Sequence, residues 1–203
     1  MRNKMGILFN IFDIDGCIMD SSDFYPNLTD KEQTKAQIEQ IVKESNEKGK
    51  DIKLYPNFLQ YYHSSQAIKN IFLTRRKASH FHHLTLQQLA PVLHQNNIQV
   101  IFYPEDYLHT ETNYYFYKTQ TIMNYLLSFY KILKNPLKVR VFDDHSDYFL
   151  DLLYILDINK SSNNFNIKCF LIQSNKDWKE MKHYVHYKKE LIIKNTLLDE
   201  RGF

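Results

Sequence analysis

Glycine is scarce in this chain, with four among 203 residues. Each one is therefore expected where the backbone needs a conformation that other residues resist. Cysteine is scarcer still: Cys17 and Cys169 stand alone. Two cysteines so far apart build neither a disulfide framework nor a CxxC motif, so a reducing compartment, the cytoplasm, is the expectation. A large charge of one sign is also missing. The 26 basic side chains against 23 acidic ones leave a formal net charge of +3, too small to argue for nucleic acid or a membrane surface as a partner. The apolar part of MRNKMGILFNIF is too short to span a bilayer and lacks a small-residue cleavage site. Neither a transmembrane segment nor a secretory leader is expected from it.

What is present suits a folded domain. Hydrophobic residues make up 43% and charged residues 24%, and a chain of this length can bury a real core. Apolar, β-rich runs recur at 6–12, 68–74, 98–103, 138–143 and 165–173. Between them lie stretches with apolar positions three and four apart, at 56–67, 84–94, 118–133 and 147–157, which predict helices. Thr29 and Glu32 form a capping-box pattern at the head of a further one, and Asn135-Pro136 ends the helix before it. Strands that are near-continuous apolar runs, alternating with helices, predict an α/β fold: a Rossmann-like three-layer sandwich around a parallel sheet. The expected organisation is one domain over 1–175, a small helical insert at about 20–66, and a charged, helix-like tail over 176–203.

Parallel sheets bind ligands at the carboxyl ends of their strands. The first strand ends in Asp13 and Asp15, followed by Gly16; the second in Thr74-Arg75-Arg76; the fourth in Asp143-Asp144. Carboxylates gathered at one sheet edge repel unless a cation sits among them. Hard oxygen ligands with no Cys or His partner suit Mg²⁺, which fills its shell with water and phosphate oxygens. Lys118, ahead of the fourth strand and expected to open a helix, offers a positive group, and Thr74 offers a hydroxyl to a phosphate oxygen.

The order hhhhDxDG, hhhT, Lys, hhhDD resembles the haloacid dehalogenase (HAD) superfamily of phosphohydrolases. Asp13, Asp15 and Gly16 in FDIDG, Thr74 in FLT, Lys118 in FYKTQ, and Asp143 and Asp144 in VFDD carry the likeness over residues 7 to 150. More narrowly, FLTRR, YKTQTIMNYLL and VRVFDDHSDYF are similar to the RNA-repair-associated (Swiss Army Knife-like) subgroup. Arg75 departs from that pattern, standing where glycine is usual, and Cys17 stands where threonine or valine is common. The resemblance implies a Mg²⁺-dependent phosphatase. Asp13 would be the nucleophile that forms an aspartyl-phosphate, and Asp15 the general acid and base. Asp13, the backbone carbonyl of Asp15 and an acid of the fourth strand would hold the metal, with Asp144 favoured as direct ligand, Asp143 as its support and Asp147 in reach. Lys118, Thr74 and Arg75 would meet the phosphate.

Other features have plainer readings. His80, His82 and His83 lack the spaced partner set of a metal site and read as a helix start. The aromatic run 114–117 reads as core and rim rather than a stacking platform. Arg75 and Arg76 read equally as phosphate contacts or surface residues. Neither interval between motifs has room for a large cap domain, so an open site and a macromolecular substrate are expected. A phosphorylated protein, with phosphotyrosine favoured, leads. The composition is also similar to that of small HAD phosphatases that intracellular bacteria secrete into a host cytosol as effectors. A polynucleotide-end phosphatase is the alternative, and a non-catalytic domain that binds phosphorylated partners a third reading.

Overall fold

In a computed structural model, residues 7–19, 21, 40, 44, 54–94, 97–106, 111–158, 165–172, 178, 180–187 and 190–197 are described. Seven strands form one sheet: β1 (Ile7–Asp13), β2 (Lys69–Lys77), β3 (Ile98–Tyr103), β4 (Leu137–Asp143), β5 (Phe165–Ile172), β6 (Glu180–Tyr187) and β7 (Glu190–Leu197). Their order is β3-β2-β1-β4-β5-β6-β7. The first five run parallel, which is the expected α/β architecture. The chain leaves β1 toward one edge and returns through β4 on its other side. The gap between β1 and β4 is therefore the topological switch point where such sheets open a crevice.

The remaining two strands correct the expectation for the tail. Residues 180–187 and 190–197 are strands, not helix; β6 pairs antiparallel with β5, and β7 with β6. The stretch is rich in aromatic and β-branched residues (Tyr184, Val185, Tyr187, Ile192, Ile193, Thr196). These fit a pleated surface better than a helix, and the interspersed charges hid that pattern.

The helices are α1 (Pro56–Ser64), α2 (Ala78–Gln88), α3 (Ala90–Leu93), α4 (Glu111–Leu133) and α5 (Phe149–Ile158). Pro91, which lacks an amide hydrogen, falls in the first turn of α3, just after α2 ends. Lys134 closes α4 in the left-handed region (φ 49) and returns its amide to the Tyr130 carbonyl. The Thr29/Glu32 capping box lies outside the described residues. Gln40 and Glu44 of that stretch are helical and hydrogen-bonded to each other. Among the described residues, no helix is long and apolar enough to cross a membrane.

Period-two alternation sorts the strands between two cores. Phe9 and Ile11 of β1, with Val139 and Val141 of β4, pack against Ile122, Met123 and Leu126 of α4 and Leu152 and Leu153 of α5. The even positions face the other way, where Phe12, Phe72, Phe142 and Phe170 pack with Phe58 of α1 and Leu89 and Val92 near α3. Helices cover both faces, which makes the three layers. The four phenylalanines stand in register across β2, β1, β4 and β5. Their rings stack at centroid spacings of 5.4, 5.1 and 4.9 Å, and Trp178 stacks on Phe142 at 4.8 Å. Each such pair adds about 0.5–1.5 kcal/mol beyond its burial. A slip of one residue would turn every ring to the wrong face. The ladder thus fixes the register of the two strands whose next residues are Asp13 and Asp143.

Candidate active site

Asp13 and Asp143 are odd-numbered, so they project on the α4 face one step beyond Phe12 and Phe142, the last residues paired between β1 and β4. Immediately after Asp13 the chain turns sharply. The Gly16 φ is 79, its amide donates to the Met19 carbonyl, and the Ile18 amide to the Ile14 carbonyl. Here glycine is required by the left-handed backbone. The indole Nε1 of Trp178 donates to the Cys17 carbonyl at 2.7 Å and pins the turn from the far side of the sheet.

Lys118 lies within α4, not at its start: the helix begins at Glu111. Its Nζ sits 2.6 Å from Asp13 Oδ1 and also pairs with Asp143 Oδ2. Lys118 is 1% exposed and Asp13 6%. Burial alone would lower the lysine pKa, but the Asp13 and Asp143 charges override it and hold the ammonium well above its ordinary range. One turn earlier, at the i−4 position on the same helix face, the Tyr114 hydroxyl donates to Asp13 Oδ1 at 2.8 Å. On the other side, the Tyr148 hydroxyl donates to Asp143 Oδ2 at 2.8 Å, and the His145 amide to Asp143 Oδ1 at 2.9 Å. The ammonium also lies 4.4 Å from the Tyr114 ring centroid and 5.3 Å from that of Tyr148. The result is a chain, Tyr114–Asp13–Lys118–Asp143–Tyr148, with the lysine between two carboxylates and two aromatic rings.

Asp144 completes a group with Asp13 and Asp143 in which each offers an oxygen within 4.8 Å of the others. Asp147 is exposed and outside it. Three carboxylates against one ammonium leave a formal excess of two negative charges. Burial, opposed by Lys118 and reinforced by Asp143, raises the Asp13 carboxyl to about 7. Burial, then Asp143 and Asp13, raises Asp144 to about 9. The group fits a divalent cation on two counts: hard oxygen donors, and a negative excess that such an ion neutralises. Asp143 already accepts from three protein donors, whereas Asp144 is partly exposed at the mouth of the group.

The Asp15 side chain goes elsewhere. Arg76 Nη2 lies 2.6 Å from Asp15 Oδ1, and its Nε donates to Oδ2 at 3.0 Å. Arg76 is itself anchored through Nη1 to Thr85 Oγ1 and Gln88 Oε1 of α2. It is buried, which removes the surface reading of that residue. Thr74 is buried beside it, one residue past Leu73, which pairs with Asp13, and its Oγ1 accepts the Arg76 amide at 3.1 Å. Arg75 is half-buried, with its guanidinium carbon 5.5 Å from the Tyr114 ring centroid. Of the aromatic run 114–117, Tyr114 is buried at the site, Tyr115 and Tyr117 are half-buried, and Phe116 is exposed. His80, His82 and His83 join no metal-ligating group among the described residues. His82 instead packs near Phe102.

Sequence reasoning thus missed two site residues, Tyr114 and Tyr148, and the pairing of Arg76 with Asp15. The signals were available. Arg76 stands two residues after Thr74 on one strand face, and Tyr114 four before Lys118, a neighbour once the helix starts early enough. Comparison of the chain with family models, with curated proteins and with solved structures returns no match, so its chemistry is argued from this geometry.

Proposed function

We propose that the protein is a Mg²⁺-dependent phosphomonoester phosphatase of the HAD type, acting through an aspartyl-phosphate. The observation that carries this reading is the Asp13/Asp143/Asp144 group at the β1/β4 switch point, bridged by Lys118. It agrees with the order of motifs that resembles that superfamily.

Asp13 attacks phosphorus through a carboxylate oxygen, and the bond from phosphorus to the leaving oxygen breaks as the new one forms. Asp15 gives its proton to that leaving oxygen and takes one from the water that next attacks phosphorus, freeing phosphate and restoring Asp13. In this structure Arg76 donates to both Asp15 oxygens, so Asp15 takes up that proton and reaches the leaving oxygen only by giving up one of those two hydrogen bonds. Lys118 holds Asp13 against Asp143 and stabilises charge on the transferring group. Thr74 and Arg75 follow Leu73, the β2 residue paired with Asp13, and are the phosphate contacts. Mg²⁺, held by Asp13, the Asp15 carbonyl and Asp144 with Asp143 in support, would screen the nucleophile from the approaching phosphate.

The substrate favoured is a phosphorylated protein carrying phosphotyrosine. Asp13 and Lys118 are almost fully buried, and an aryl phosphate reaches farther from its peptide backbone than a seryl one. Half-buried Tyr115, stacked on Tyr148 and with its ring centroid 6.1 Å from that of His145, adds aromatic surface beside the group. Between β2 and α4, the described elements α2, α3 and β3 belong to the layers and the sheet, not to a separate cap. The test is hydrolysis of p-nitrophenyl phosphate with Mg²⁺, followed by a phosphopeptide panel against 5′- and 3′-phosphorylated oligonucleotides. Turnover of the aryl phosphate and phosphotyrosine peptides is expected. Preference for oligonucleotide ends that falls steeply with salt would move the reading to a polynucleotide-end phosphatase.

A further inference from the structure

Each of the two innermost carboxylates is held by Lys118 and by one tyrosine, yet the two are not equivalent. Asp143 has donors on both oxygens: Lys118 and Tyr148 on Oδ2, and the His145 amide on Oδ1. Asp13 has both of its donors, Lys118 and Tyr114, on Oδ1. Its Oδ2 receives none among the described residues. A carboxylate held by a lysine alone can tilt about that contact, because the ammonium sits on a flexible stem. A phenol on a fixed ring narrows that freedom and leaves one oxygen position unoccupied. The Tyr114 ring is fixed by an edge contact with Tyr103 at 5.6 Å, and Lys118 and Arg75 lie against it.

We propose that Tyr114 is a positioning residue for the nucleophile: its buried hydroxyl, with Lys118, fixes Asp13 through Oδ1, so that Oδ2 is the oxygen that attacks phosphorus and Oδ1 the one left to the metal. The inference rests on the phosphatase reading above. Nothing in the motif order points to it, since Tyr114 precedes the lysine that the motif contains.

The experiment uses the full chain with Mg²⁺ and p-nitrophenyl phosphate, comparing wild type, Asp13→Asn and Tyr114→Phe. The phenylalanine keeps the ring and removes only the donor. The expected result is a kcat lower by about ten- to a hundredfold, the scale of a small misplacement of a reacting group. KM should change by less than about twofold, because substrate binding does not use the hydroxyl. Acid-quenched single turnovers should show phosphoenzyme formation slowed by the same factor as kcat, a readout that a merely structural tyrosine would not move. An active, Asp13-dependent wild type with Tyr114→Phe turning over equally fast overturns this inference alone. A wild type with no turnover overturns the phosphatase reading and the inference with it. Should Tyr114→Phe fail to fold, Tyr114→His, which keeps a ring donor, must retain a higher kcat than Tyr114→Leu; equal values overturn the proposal.

Discussion

Two buried polar clusters sit on opposite faces of β1, and they are built differently. On the α1 face, the Asn10 amide donates to Ser65 Oγ and Asn70 Oδ1 and accepts from the Tyr61 hydroxyl, which in turn accepts from Arg140. That network holds a single charge, at its half-buried end. On the α4 face, three carboxylates share one lysine. A network of neutral groups, each with its partner, specifies a fold at little electrostatic cost. Three crowded carboxyl groups, two of them held well above their usual range, are a standing cost that a fold alone does not require. On the phosphatase reading proposed above, that cost belongs to the chemistry.

The largest effect that would break this contrast is loss of the nucleophile. Asp13→Asn should cut kcat/KM by about 10⁴-fold or more, a group's share when it forms the covalent bond. The metal-free protein should not melt lower, since one of three crowded like charges is gone. Melting well below wild type, with activity retained, would place Asp13 in the structural class. Next in size is Lys118→Met, which leaves the carboxylates without their ammonium. Removing one partner of a buried pair costs about 3–5 kcal/mol, so chemical denaturation should show a loss of that order, partly restored by Mg²⁺. Third, Mg²⁺ at about a hundred times its Kd should add about 2.7 kcal/mol to stability. Asp144→Asn should abolish that gain while raising the melting temperature of the metal-free protein. An unchanged response of Asp144→Asn to Mg²⁺, seen by scanning calorimetry, would remove Asp144 from the metal group.

How far the sequence foretold this arrangement depends on the range of the interaction. The five parallel strands were legible because each is a local apolar run bounded by turn residues. Their ends could be compared because such sheets bind ligands there. Asp13, Lys118, Asp143 and Asp144 come together in the structure as their positions suggested. The signals for Arg76 and Tyr114 were only partly legible, because their roles depend on where a strand ends and a helix begins. The β2 strand runs on through Arg76 to Lys77, and α4 starts at Glu111. The tail failed for a different reason. Its charged residues break up short runs of β-favouring ones, such as Tyr184-Val185 and Ile192-Ile193, without a clean period of two, and pairing with β5 decides in favour of strands. The Phe ladder also escaped notice, since stacking across four strands is invisible until register is known.

The smallest predicted effect separates the two clusters most cleanly, because it comes from the same strand. Asn10 lies three residues before Asp13, and an odd spacing turns its side chain to the opposite face. It is fully buried and takes part in three side-chain hydrogen bonds, two as donor and one as acceptor. Asn10→Ala leaves Ser65, Asn70 and Tyr61 each short of a partner in an apolar layer, at a cost of about 1–3 kcal/mol. In a chain of this size each kcal/mol lowers the melting temperature by about 2–4 °C. Turnover measured well below the melting transition should match wild type, since no atom of that network touches the carboxylate group. Asp13→Asn and Asn10→Ala would then be mirror images, one losing chemistry without stability and the other stability without chemistry. A loss of kcat in Asn10→Ala at temperatures where circular dichroism shows full folding would mean that the two faces of β1 are coupled, and that the division into structural and chemical clusters is wrong.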